Sequence, residues 1–195
     1  MERLRQTPSQ TIGPFFAYSL TAEQYGYNYN SIADGHLAGD QAGGEQICIV
    51  GNVFDGEDIP ISDAMLELWQ ADAHGHYRKL ISPGDHGFRG FGRLGTGTDP
   101  ECRFCFTTIK PGAVGEKQAP HINIILFMRG SLRPYYTRLY FSDEAEANQK
   151  DEILNIIPKE RTQTLIAEQR KNQGITEYHF DIYMQGKNET VFFEV

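Results

Sequence analysis

Three small groups of residues in this chain carry side chains able to do chemistry. His74-Gly75-His76-Tyr77 sets two imidazoles two residues apart with a phenol beside them. On a strand, residues i and i+2 face the same side, so such a pair can chelate one metal ion. The central glycine leaves strand geometry open, and two histidines on a surface loop are the alternative. His121 opens the second group, in Ala119-Pro120-His121-Ile122-Asn123-Ile124. Its i+2 neighbour is Asn123, and a neutral amide is a feeble ligand for a transition metal beside an imidazole. Taken on residue type alone, His121 reads as a core histidine bonded to backbone. Cys102 and Cys105 form the third group, with the spacing of a zinc half-site or a redox pair. A zinc site needs a second pair of ligands, and a redox pair belongs near a helix start. Phe104, Phe106 and Ile109 mark a strand instead, so the pair reads as packed thiols acting as small hydrophobes.

The elements that must position these groups are mostly short and extended. Residues 47–54 and 64–70 read as strands, the second with apolar residues on alternating sides. Further strand candidates are 103–109, 121–128, 135–141, 164–169, 178–185 and 190–194, with Asn172-Gln173-Gly174 as a hairpin turn. Only residues 143–150 read as a helix, and Pro158 prevents a long continuation. Residues 78–100 hold eight glycines or prolines and are expected to form a long surface loop. The opening stretch Thr7-Pro8-Ser9-Gln10-Thr11-Ile12-Gly13-Pro14-Phe15-Phe16 is expected to be extended, because two prolines and a glycine oppose a regular helix. Residues 21–44, rich in Gly, Asn, Tyr and Asp, continue it as a loop-rich arm. These patterns predict a mainly all-β protein, an antiparallel β-sandwich with one or two short helices. Residues 1–45 form the arm and 46–195 the sandwich, a single domain overall.

Composition narrows the function. Lys and Arg total 18 against 26 Asp and Glu, a net charge of −8 in 195 residues. So acidic a chain is a poor prospect for nucleic acid or an anionic membrane, where affinity comes from basic residues. No stretch approaches the roughly 20 apolar residues that span a bilayer. The first residues lack the apolar core of a signal peptide, so the cytoplasm is the expected location. Three cysteines do not suggest a disulfide framework.

Four segments, taken in order, resemble the intradiol ring-cleaving dioxygenases. They are residues 51–55 leading into 67–77, with W-Q-A-x-x-x-G-x-Y ending at Tyr77; 107–112, with T-I-K-P-G; Pro120-His121-Ile122-Asn123; and Thr137-Arg138-Leu139-Tyr140-Phe141. The match covers most of residues 46–195. In catalytic members, two tyrosines and two histidines hold ferric iron, a hard ion stabilised by phenolate oxygens. By this resemblance Tyr77 corresponds to the first tyrosine and His121 to the first histidine. Val114 stands where the second tyrosine belongs and Asn123 where the second histidine belongs. Gln118 replaces an arginine thought to steady the anionic substrate. The resemblance therefore implies that this chain holds no metal and that Tyr77 and His121 are vestigial.

The same departures are similar to the α-type chain of the family's two-chain members. Thr7 to Pro14, Phe127-Met128-Arg129-Gly130 and residues 185–193 share that likeness. It implies a homologous catalytic β chain as partner in a larger αβ oligomer, with Fe(III) on that partner. It further implies that the arm crosses to the partner, where Thr11, Gly13, Pro14 and Arg129 help shape a pocket for a catecholic acid. An arginine there would attract and orient the carboxylate. The expected reaction of the whole enzyme is cleavage of 3,4-dihydroxybenzoate by O2 to 3-carboxy-cis,cis-muconate, the chain alone being inactive. The aromatic residues of the arm suit such an interface, though they suit cover for the chain's own sandwich too. Two other readings stay open here. One is a self-sufficient metalloenzyme using Tyr77, His121 and His74 or His76; the other is a transthyretin-like binding module.

Overall fold

The computed structural model describes residues 15–78, 87–172 and 174–194. These residues form nine strands: β1 (Gln46–Phe54), β2 (Met65–Gln70), β3 (Phe91–Gly95), β4 (Arg103–Ile109), β5 (His121–Phe127), β6 (Tyr135–Phe141), β7 (Ile166–Asn172), β8 (Ile175–His179) and β9 (Ile182–Tyr183). They lie in the order β3-β2-β5-β6-β7-β8-β1-β4, with β9 also beside β1. The path folds over itself where β6 meets β7 through only two residue pairs, Tyr140–Ile166 and Phe141–Ala167. One layer is therefore β3-β2-β5-β6 and the other β7-β8-β1-β4. Leu66, Leu68, Ile122, Ile124 and Leu126 from the first layer meet Ile47, Ile49, Phe104, Phe106 and Tyr178 from the second in one core. This is the expected sandwich, although its pairing is mixed: β1 runs parallel to β8 and β9, and β6 parallel to β7.

Alternation drives the layering. Along β5 the burial pattern puts His121, Ile122, Ile124 and Leu126 inside and leaves Asn123, Ile125 and Phe127 half-buried. The hairpin expected at residues 172–174 joins β7 to β8, with Asn172 opposite Ile175 and Gly174 at φ 89°.

Several boundaries differ from the sequence expectation. Residues 78–100 are not one loop, because β3 lies within them and pairs antiparallel with β2. Its glycines belong to a strand because the arm crosses directly over it. A Cβ on Gly92 would stand 2.3 Å from Leu37 and 2.9 Å from the carbonyl oxygen of Asp34. The segment expected to be extended contains α1 (Phe15–Leu20). Pro14 stands just before it, and proline opposes a helix interior rather than a helix start. The strand expected over 178–185 divides into β8 and β9 around Asp181, whose side chain accepts from the Asn52 amide. The strand expected at 190–194 is only an isolated bridge between Tyr136 and Phe193. The expected strand at 164–169 starts late, after a 3-10 turn at Gln163–Leu165. The one expected helix appears as α2 (Ala145–Lys150), followed by α3 (Glu152–Ile156) and α4 (Lys159–Thr162). Asp151 separates the first two by capping α3, accepting from the amides of Ile153 and Leu154.

Residues 33–38 lie on their own sandwich: the Leu37 amide donates to the Thr107 carbonyl, and Leu37 is fully buried. Replacing Gly92 with alanine is expected to cost about 1–3 kcal/mol through overpacking. Urea unfolding measures the loss, and amide exchange should rise selectively over residues 33–38.

Candidate functional site

The segment after β2 turns sharply so that Tyr77 swings back over β5. Asp72 makes that turn. Its carboxylate accepts from the amides of His74 and His76, and its carbonyl accepts from the amides of Gly75 and Gly112. Gly75 has φ 81°, and a Cβ there would lie 1.9 Å from the Ala113 carbonyl oxygen. Only glycine fits this position, which welds the Tyr77 turn to the Val114 loop. The two histidines flanking it are exposed on the turn, and among the described residues they belong to no group of three or more His, Cys, Asp or Glu placed to hold a metal ion. The H-x-H chelate weighed from the sequence is therefore replaced by an Asp-anchored loop. The Val114 loop is held from its other side by Lys110, whose ammonium lies 2.6 Å from both Asp143 and Glu144.

Tyr77, His121 and Asn123 meet above β5, and Arg138 joins them from β6. The Tyr77 hydroxyl lies 3.1 Å from Nε2 of His121, while Nδ1 of His121 lies 2.8 Å from the Ala119 carbonyl. A carbonyl can only accept, so Nδ1 carries the proton and Nε2 accepts from the phenol. The Asn123 amide nitrogen donates to the Tyr77 oxygen at 2.8 Å and to the Trp69 carbonyl at 3.2 Å. Its carbonyl accepts from Nε of Arg138 at 3.1 Å. Arg138 also donates to Gln118 at 3.3 Å and to the Tyr140 hydroxyl at 3.4 Å, and Tyr140 donates to Asp151. The indole of Trp69 rests against the Tyr77 ring, with centroids 4.8 Å apart. Val114 pairs with Gln118 across a tight turn, its amide donating to the Gln118 carbonyl.

The electrostatics favour neutral groups. Burial pushes the Tyr77 phenol above its ordinary range, against the Asn123 hydrogen bond and the Arg138 charge. Burial likewise pushes His121 below its usual value, with the Ala119 hydrogen bond opposing and Arg138 assisting. Phenol and imidazole are both uncharged at neutral pH.

Ferric iron does not fit this donor set. Val114 has no donor atom, both ends of the Asn123 amide are engaged, and the remaining phenol and imidazole bond to each other. Arg138 also fixes one positive charge where the metal would add three. Among the described residues, no group of three or more His, Cys, Asp or Glu is placed to hold a metal ion.

The sequence reading named five of these positions: Tyr77, Val114, Gln118, His121 and Asn123. It gave no role to Arg138 or Asp151. Asp151 is fully buried and accepts from the Ala119 amide, steadying the turn before His121. A basic residue within the apolar run 135–141 was the visible signal for Arg138. Its role depends on standing opposite Asn123, which only strand register shows. Arg129 lies elsewhere, beyond the far end of β5, with Nε 2.9 Å from Asp63 and the side chain 68% exposed. Thr11, Gly13 and Pro14 fall outside the described residues. Nor are the two cysteines of the C-x-x-C spacing packed as expected: Cys105 is exposed on the outer face of β4, and Cys48 is the buried thiol.

A buried histidine with a lowered pKa gives stability a definite pH slope. The unfolded chain binds a proton near pH 6.5 and the folded chain only below that, so stability is full above that pH and falls beneath it. His121→Gln should abolish this slope, which reaches at most about 1.4 kcal/mol per pH unit. Urea unfolding between pH 5 and pH 8 measures it; equal slopes in both proteins would show that His121 titrates normally.

Comparison with known proteins gives the family. The family model described as Dioxygenase matches residues 21–186. The chain is 48% identical to the protocatechuate 3,4-dioxygenase alpha chain of Burkholderia cepacia, with all of both chains covered. It is 43% identical to the alpha chain from Pseudomonas putida, over all of this chain and 98% of that one. The beta chain of the Burkholderia cepacia enzyme is 30% identical over 97% of this chain and 82% of its own. Among solved structures, the dioxygenase domain of a carbohydrate-binding fusion protein from Streptomyces sp. SirexAA-E superposes with a TM-score of 0.62 at 23% identity. That match covers 84% of this chain and 94% of that domain. Sandwich and full-length match agree: the chain belongs to the intradiol dioxygenase family, with protocatechuate 3,4-dioxygenase alpha chains among its relatives.

Proposed function

We propose that this chain is the iron-free, pocket-forming subunit of an αβ enzyme that opens the ring of 3,4-dihydroxybenzoate with O2 to give 3-carboxy-cis,cis-muconate. The observation that carries the reading is the closed Tyr77–His121–Asn123–Arg138 cluster at the family's metal position. A chain so closely related to dioxygenase subunits, yet unable to hold the metal, works through a partner that can. Ferric iron, held by the homologous β chain, would supply the activation of the substrate toward O2.

This chain's own contribution lies at the other end of β5. His121 and Arg129 are about 20 Å or more apart, at roughly 3.3 Å per strand residue. Phe16 of α1 rests on Phe127, with ring centroids 5.5 Å apart, so α1 sits at the Arg129 end of β5. Thr11, Gly13 and Pro14 directly precede α1 and are assigned to the wall of the partner's pocket. Arg129 is assigned to the substrate carboxylate, exchanging its exposed pairing with Asp63 for a charge-assisted bond in a site of lower dielectric. Phe16, Tyr18, Tyr27 and Tyr29 are large exposed rings of the arm, of the kind that anchors an interface. Among the described residues no helix is long and apolar enough to cross a membrane, and the enzyme is assigned to the cytoplasm.

Co-expression with the homologous β chain, followed by co-purification and oxygen uptake, tests the assignment. The pair should consume O2 with 3,4-dihydroxybenzoate, and this chain alone should be colourless and inactive with ferric iron. A β chain equally active without this chain would refute the pocket-forming role. Arg129→Gln in the assembled enzyme should raise KM for 3,4-dihydroxybenzoate about 10-fold or more, the value of a charge-assisted bond. Turnover of catechol, which lacks the carboxylate, should not change with this substitution.

A further inference from the structure

Strand pairing gives Cys105 a partner that its sequence spacing conceals. In the antiparallel β1–β4 ladder, Cys48 stands opposite Thr107 and Val50 opposite Cys105. Ile47, Ile49, Phe104 and Phe106 face the core, so Cys48 and Cys105 share the outer face as diagonal neighbours. Their sulfurs lie 2.9 Å apart, although 57 residues separate them in sequence. Cys48 is only 7% exposed, whereas Cys105 is open to solvent. Both line a cleft of about 1030 Å³ with His36, Arg89, Thr107 and Glu177.

The arrangement makes the two thiols unequal. A hydrogen bond from Cys48 brings the Cys105 thiol down to about 7, with burial and Glu177 opposing and Arg103 assisting. The same contact, together with burial, pushes Cys48 up. Thus the accessible sulfur is the better nucleophile at neutral pH, and its shielded neighbour is already in place to follow it.

We propose that Cys105 and Cys48 form an oxidation site that takes hydroperoxides and closes an intrachain disulfide between β1 and the edge strand β4. The Cys105 thiolate attacks one oxygen of hydrogen peroxide, the O–O bond breaks, and hydroxide leaves. Cys105 becomes a sulfenic acid, having lost two electrons to the peroxide. The Cys48 sulfur then attacks that of Cys105, forming the S–S bond as the S–O bond breaks. The departing hydroxide takes up the Cys48 proton. In sum, two thiols and one hydrogen peroxide yield one disulfide and two waters. The sulfurs must close from 2.9 Å to about 2.05 Å for this bond. Cys102 has no place in the reaction, since it sits in the turn before β4 with φ 56°.

The test is titration of the full-length chain with hydrogen peroxide at neutral pH, followed by alkylation, non-reducing digestion and mass spectrometry. The expected product is a peptide pair joined through Cys48 and Cys105, two hydrogen masses lighter than its parts, with Cys102 fully alkylated. Cys48→Ser should stop the sequence at the sulfenic acid, trapped on Cys105 by dimedone. Cys105→Ser should leave Cys48 alkylatable. A bridge through Cys102, a bridge between chains, or oxidation of Cys105 beyond sulfenic acid while Cys48 stays free would each overturn the proposal. So would Cys48 and Cys105 that both stay fully alkylatable at peroxide doses that oxidise Cys102.

Discussion

Trp69, Asn123 and Arg138 stand abreast on β2, β5 and β6, and this row of register fixes the site. Because side chains alternate with a period of two, a slip of one residue on β5 would bury Asn123 and expose Ile122 and Ile124. The apolar residues of β5 therefore specify the polar cluster as firmly as they specify the core. Hydrophobic burial chooses the register; the register aligns the amide between the indole backbone and the guanidinium. Tyr77 is then delivered from outside the sheet by a turn that depends on Asp72 and Gly75.

What replaces the metal is a division of its tasks. A ferric ion would supply positive charge and bind phenolate and imidazole together. Here Arg138 supplies the charge at one remove, through Asn123, and the phenol and imidazole are joined by a single hydrogen bond. A half-buried cluster whose members bond to one another avoids the cost of leaving polar groups unsatisfied. On the proposed reading the two absent ligands belong to a substituted arrangement: among the described residues, Asn123 bridges Tyr77 to Arg138.

Much of this was legible before any coordinates. Alternation and turn residues located β1, β2, β4, β5 and β6, and the motifs named five of the clustered positions. The failures have physical causes. β3 was hidden because its glycines serve close approach of the arm, which only tertiary packing reveals. α1 was hidden because proline was weighed as a breaker, without its tolerance at a helix start. Arg138 was visible as a residue but not as a partner, since its importance comes from a neighbour on another strand. The cysteines show the same limit most plainly: Cys102 drew attention by sequence proximity, while the relevant neighbour of Cys105 lies across a strand pair.

A self-satisfied cluster also changes what this subunit needs from its surroundings. Metal-binding proteins couple folding to metal supply, since an ion that binds only the native state adds to its stability. The Tyr77–His121 cluster pairs its neutral polar groups with one another, so on the proposed reading its folding free energy needs no such contribution. On the proposed assignment of iron to the partner, iron scarcity would starve the assembly of activity without starving it of this chain. On the proposed assignment this chain is ready to receive a metallated partner and does not compete with it for the ion.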